Sequence, residues 1–207
     1  MPKSEIFTGK SLKISGVTDE YVKFVTESQL MNRERWKKLV QPFKTREDGD
    51  GFWRGEFFGK ELRGASLMYS YSRNEELYEV LTEAVEDILS SQDELGRICT
   101  YSVETEFNGW DLWCRKYVMT GLQHYYRICK DEELKTRIII ALKKHADYII
   151  SKIGAKKDGK KEITATSSWW GCVNSCTILE PMLELFKETS EKRYLEFAEY
   201  IIGTGGS

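Results

Sequence analysis

Three stretches of the chain repeat one pattern: LMYSYSRNEELYEVLTEAVEDIL, QHYYRICKDEELKTRIIIALKKHADYII and LELFKETSEKRYLEFAEYII. In each, an apolar-aromatic helix, a short polar turn and a second amphipathic helix follow one another, because apolar residues recur three and four positions apart. The anchor leucines Leu77, Leu134 and Leu195 stand about 60 residues apart, too long a period for tetratricopeptide or ankyrin units of roughly 33–34 residues. A single hairpin cannot bury its apolar faces, so such units must stack. The expected fold is therefore all-α and built of helical hairpins. Two long loops, 91–110 and 154–174, each join the end of one hairpin to the start of the next. They fall on one side, which in an (α/α)6 toroid is the rim of a central cavity; a plain solenoid is the alternative. Six hairpins need roughly 360 residues, whereas this chain has 207. Residues 1–50 read as an N-terminal arm and lead-in helix. Residues 51–207 read as about half a barrel, truncated at its C-terminus, so that the chain is a fragment or is completed by a partner, including a second copy in a homodimer.

In the lead-in, Leu12-Lys13-Ile14 suggests a short strand or an arm. Thr18-Asp19-Glu20 opens a helical pattern that continues through Tyr21, Val22, Phe24, Val25 and Leu30, and again through Trp36, Leu39 and Val40, with Pro42 ending it. KTREDGDG (44–51) reads as a polar loop, and Gly203 as the cap of the last helix.

Charge excludes one class of function. With 31 basic and 33 acidic residues the net charge is −2, which argues against nucleic acid as a partner. No apolar run reaches the about 18 residues of a membrane span, and MPKSEIFTGKSLKI has no signal-peptide core. The five cysteines then read as reduced thiols in a cytoplasmic protein.

Three clusters could carry chemistry. In WRGEFFGKELRGA, Trp53, Glu56 and Lys60 recur at helical spacing, with Arg63 within reach. A sugar ring stacks on indole while its hydroxyls bond to charged groups; a surface ion-pair ladder beside a core tryptophan explains the same residues. In NGWDLWCRKY, Trp110, Asp111, Arg115 and Lys116 open an inner helix, with Asp111 as a candidate cap. Cations in a first turn oppose the helix dipole and need another reason to be there. In TSSWWGCVNSCTILEP, Ser167, Ser168, Trp169, Trp170 and Asn174 form a polar-aromatic patch. Cys172 and Cys176 lie one helical turn apart but lack the further ligands of a structural zinc site, so buried thiols are the better reading. His124 and His145 read as helical histidines.

The strings WRGEFFGKELRGA, SQDELGRICTYS, GWDLWCRKYVMTGL, KHADYIISKIG and WWGCVNSCTILEPMLELFKETSEKRYLEFAEYIIGTGG together resemble the N-terminal half of the β-L-arabinofuranosidase-like enzymes, glycoside hydrolase family 127. The resemblance implies an (α/α)6 barrel, a carbohydrate substrate, and a chemistry in which a zinc-bound cysteine thiolate attacks the anomeric carbon and a glutamate serves as acid/base. The family's zinc ligands include an adjacent Cys-Cys pair in the later part of the barrel. None occurs here, so the resemblance assigns this chain no nucleophile and no metal ligand. It carries over substrate-cavity wall: Trp53, Glu56, Lys60, Trp110, Asp111, Arg115, Lys116, Trp170, Asn174 and Ser175. Two other functions stay open, another (α/α)-toroid sugar enzyme such as an unsaturated glucuronyl hydrolase or an epimerase, and a non-catalytic helical binding scaffold. A half-barrel should expose apolar surface around Leu179, Leu183 and Phe186 and so tend to associate.

Overall fold

A computed structural model describes residues 14–48 and 51–204. The two lead-in helices are α1 (Val17–Val25), which runs on through a π turn at Thr26–Leu30, and α2 (Arg33–Thr45). A 3-10 turn at Gly51–Gly55 leads into the first hairpin, α3 (Glu56–Ser72) and α4 (Glu75–Ser90). The second hairpin is α5 (Asp111–Ile128) and α6 (Glu132–Lys152). After three 3-10 turns and the short α7 (Val173–Cys176) comes the third, α8 (Leu179–Thr189) and α9 (Lys192–Gly203). All three expected hairpins form. No helix among the described residues is long and apolar enough to cross a membrane.

Local chemistry sets the helix starts. Asn74 Oδ1 accepts the Leu77 N–H at 3.0 Å, and Asp131 Oδ1 accepts those of Glu133 and Leu134 at 2.8 and 3.1 Å, satisfying otherwise orphaned donors. The outer helix α4 then buries one stripe, Leu77, Val80, Leu81, Ala84, Val85 and Ile88. Helix α5 is buried nearly all round, polar residues included, as befits a helix with neighbours on several sides. Trp36 and Phe43 of α2 pack edge-on against Phe58 of α3, with ring centroids 6.0 and 5.8 Å apart. The lead-in is thereby joined to the hairpin core.

Several expectations need correction. Pro42 lies inside α2, which continues to Thr45 and closes on a left-handed Arg46 whose N–H bonds the Pro42 carbonyl at 3.0 Å. Proline costs the helix one i→i−4 hydrogen bond, and α2 ends within a turn after it. Thr18-Asp19-Glu20 fall inside α1, which starts at Val17 without a side-chain cap. Gly203 is the last helical residue rather than a cap. Leu12 and Lys13 lie outside the described residues, and Ile14 is in no regular element. Leu179 and Phe186 pack against the core and Leu183 is half-buried, so these three do not form the expected exposed patch.

The inner helices α3 and α5 touch backbone to backbone. A Cβ built on Gly59 would stand 2.1 Å from the Tyr117 carbonyl carbon, and one on Gly121 would stand 2.8 Å from the Gly59 oxygen. Behind α5, His145 of α6 is 1% exposed and accepts the Ile98 N–H at Nδ1 over 2.9 Å. Its Nε2 has no partner among the described residues. Burial, with the nearby Arg115 and Arg97 charges, holds its pKa well below the usual histidine value.

Two measurements follow. Gly59→Ala should destabilise the protein by about 3 kcal/mol, since neither helix backbone can give way. Gly64→Ala on the same helix, where an added Cβ meets nothing within 4 Å, should stabilise it by about 0.5–1 kcal/mol. Urea midpoints read both, and equal effects at the two sites would refute the close contact. His145 binds protons more readily unfolded than folded, so its share of stability is full above about pH 6.5 and is lost as the pH falls through the depressed folded value. The fall in urea midpoint from about pH 7.5 to pH 5.5 should therefore be smaller in His145→Gln than in the wild type.

Candidate functional site

The loop between α4 and α5 is organised around one arginine. Arg115, fully buried, sends Nη2 to Glu106 at 2.7 Å and Nε to Asp111 at 2.9 Å. Glu106 also takes Arg97 Nη1 at 3.2 Å and the Tyr148 hydroxyl. Asp111 Oδ2 accepts the Phe107 N–H at 2.7 Å. Asp111 is thus the first helical residue and a staple for the loop, not the expected cap. The Arg115 guanidinium lies 4.6 Å from the Phe107 ring centroid. Burial alone would lower its pKa, but its surrounding partners, the Asp111 carboxylate foremost and Glu106 with it, together outweigh that and raise it. Here is the reason for a cation near the head of the helix: it pairs with Glu106 of the loop and with Asp111 of its own helix.

With the loop held, Trp110 stands at the head of α5 beside the turn that precedes α7. Its ring centroid lies 5.8 Å from Trp169, 5.4 Å from Trp170 and 5.8 Å from Trp113. Trp53, Arg54, Glu56 and Phe57 complete the lining of a cleft of about 570 Å³. Trp53 and Trp170 are two-thirds exposed, at 64% and 67%, so apolar ring surface faces water. Trp113 continues the arrangement into the body of the protein. It packs edge-on with Tyr117, whose centroid lies 4.6 Å from Lys60 Nζ and 4.2 Å from Lys116 Nζ. Lys60 pairs with Glu56, and Lys116 with Glu180 at 2.9 Å.

Of the sequence candidates, Trp53, Glu56, Trp110 and Trp170 meet in this cleft. Trp53 reaches it differently from the helical face expected: α3 begins at Glu56, and Trp53, Arg54 and Gly55 are all left-handed, with φ of 49°, 55° and 96°. Lys60 and Lys116 flank Tyr117. Asp111 and Arg115 have no exposed surface and are internal ties. Asn174 and Ser175 are each 1% exposed; Asn174 Nδ2 donates to the Gly109 carbonyl at 2.9 Å, and Ser175 Oγ has no partner among the described residues. Trp169, read as part of the polar-aromatic patch, joins the lining too, whereas Arg54, Phe57 and Trp113 carried no expectation, although Trp113 stands in the motif of Trp110. Also missed was Asp48. It accepts hydrogen bonds from Ser102 N, Thr105 Oγ1 and Arg54 Nη2. Burial opposes its ionisation, but these donors and the Arg54 charge prevail and hold its pKa at about 2.

Cys172 and Cys176 are buried with sulfurs 3.6 Å apart, and burial and the neighbouring Cys172 thiol push the Cys176 pKa up to about 12. Among the described residues, no group of three or more His, Cys, Asp and Glu is placed to hold a metal.

Comparison with known proteins agrees with this architecture. No curated protein sequence matches the chain. A crystal structure of a GH127 β-L-arabinofuranosidase from Geobacillus stearothermophilus T6 superposes with a TM-score of 0.65 at 18% identity. The match covers 91% of this chain but 32% of that one, so the chain spans about a third of its length. The family model for the β-L-arabinofuranosidase GH127 catalytic domain matches residues 12–206. The hairpin fold and a family match over nearly its whole length place this chain in glycoside hydrolase family 127, as part of the catalytic domain.

Proposed function

We propose that the chain forms substrate-cavity wall of a β-L-arabinofuranosidase-type glycoside hydrolase, acting on plant-derived or other glycans, and that the tryptophan cleft seats a furanose ring. The cleft itself is the observation that supports this: five indoles, with Arg54 and Glu56 among them, around about 570 Å³. Indole faces suit the C–H face of a sugar, and a few fixed polar groups orient its hydroxyls. In the cleft lining, Glu56 supplies an acceptor and Arg54 a donor fork. The groups that break the glycosidic bond lie in the remainder of the catalytic domain, so the chain by itself turns over no glycoside. Its five buried thiols suit a reducing, cytoplasmic setting.

The test is a titration of tryptophan fluorescence with methyl β-L-arabinofuranoside. Saturable quenching is expected, with affinity falling about tenfold in Trp110→Ala, a loss of about 1.4 kcal/mol. No response in the wild type would remove the cleft as a sugar site. An assay with an aryl β-L-arabinofuranoside should show no arabinose release by this chain, and measurable release would overturn the division of labour.

A further inference from the structure

We propose that Asn174 is a positioning residue that fixes the Trp169–Trp170 turn against Trp110 and so sets the shape of the cleft; its consequence for sugar binding rests on the function proposed above. Asn174 is 1% exposed and bonds across 65 residues of sequence, Nδ2 to the Gly109 carbonyl at 2.9 Å. Its Oδ1 has no partner among the described residues, so its side chain serves this one tie. Gly109 directly precedes Trp110, and Asn174 follows the tryptophan pair by four residues.

The turn between them needs such a tie. Trp170, Gly171 and Cys172 are consecutively left-handed, with φ of 47°, 61° and 65°, a conformation that costs non-glycine residues and persists where the surroundings over-determine it. Trp169 and Trp170 are 52% and 67% exposed, so packing beneath them does little to hold their rings. Lys161 Nζ holds the other side of the same junction, reaching the Phe107 carbonyl at 2.9 Å and Asn108 Oδ1 at 2.7 Å. That tie does not involve the tryptophan pair. The Asn174 amide does span from one to the other, so the 5.4 and 5.8 Å ring separations about Trp110 depend on it.

The experiment measures the tryptophan exciton couplet by circular dichroism, together with thermal stability, in Asn174→Asp and Asn174→Leu. Both remove the donor; the first is nearly isosteric. Trp110→Phe identifies the share of the couplet that comes from this cluster. Gln123→Leu serves as the control, because Gln123 is also 1% exposed and makes a comparable tie, Nε2 to the Pro181 carbonyl at 2.8 Å, away from the tryptophans. The couplet should fall roughly twofold or more in both Asn174 variants and stay unchanged in Gln123→Leu, at similar losses of melting temperature. An unchanged couplet in folded Asn174 variants overturns the proposal. So does failure of both to fold, since the tie would then hold the fold and not the turn. Titration of the same proteins with methyl β-L-arabinofuranoside separates the two readings. A lost couplet with about tenfold weaker binding supports both. A lost couplet where even the wild type ignores the sugar leaves the positioning role standing and removes the sugar site.

Discussion

One buried guanidinium holds the loop side of this molecule together. Arg115 sits without exposed surface between Glu106 and Asp111. Burying a charge is tolerable where partners and hydrogen bonds surround it, and removing one partner commonly costs about 3–5 kcal/mol. Here the partners come from both sides of the junction. Glu106 belongs to the connection after α4 and Asp111 to the first turn of α5. Through Glu106 the network also reaches Arg97 and Tyr148, so a connection without helix or strand of its own is tied to both helices of the second hairpin. Trp110 inherits its place from this arrangement.

The scaffold beneath depends on a different constraint, the close approach of α3 and α5 at Gly59 and Gly121. It brings the heads of the two helices together, and with them Glu56 and Phe57 on one side and Trp110 and Trp113 on the other. Strain gathers at the same end: Trp53, Arg54, Phe107, Trp170 and Cys172 all have positive φ. Such conformations cluster where function over-determines the backbone, at about 1–3 kcal/mol each. Trp53, Arg54 and Trp170 among them line the cleft proposed above as the sugar site.

The hairpins were legible in the sequence because their signals are local. A short polar turn between two apolar-periodic runs marks each hairpin, and the periodicity shows the buried stripe that follows. The tryptophans and Glu56 were legible as chemistry because their motifs sit at loop–helix junctions. What could not be read was tertiary. Nothing in the periodicity of WRGEFFGKEL warns that Trp53 to Gly55 are left-handed, so Trp53 looked like part of a helical face. Asp111 and Arg115 looked like a cap and a ligand contact because Glu106, the partner that draws the arginine inward, lies in a stretch without pattern. Asp48 was hidden for the same reason: two of its three donors are 54 and 57 residues away.

The lysines around Tyr117 have a consequence for the charge of the proposed ligand. Lys60 and Lys116 each stand within 5 Å of the ring centroid, and each is matched by a glutamate, Glu56 and Glu180. Two cations share one aromatic platform with no excess of positive charge. This group beside the cleft is a set of dipoles rather than a field, so at the proposed sugar site it would give a phosphorylated or uronic sugar little long-range advantage over an uncharged one. Recognition at the proposed site would then be a matter of contour and hydrogen bonding, with little for dissolved salt to screen.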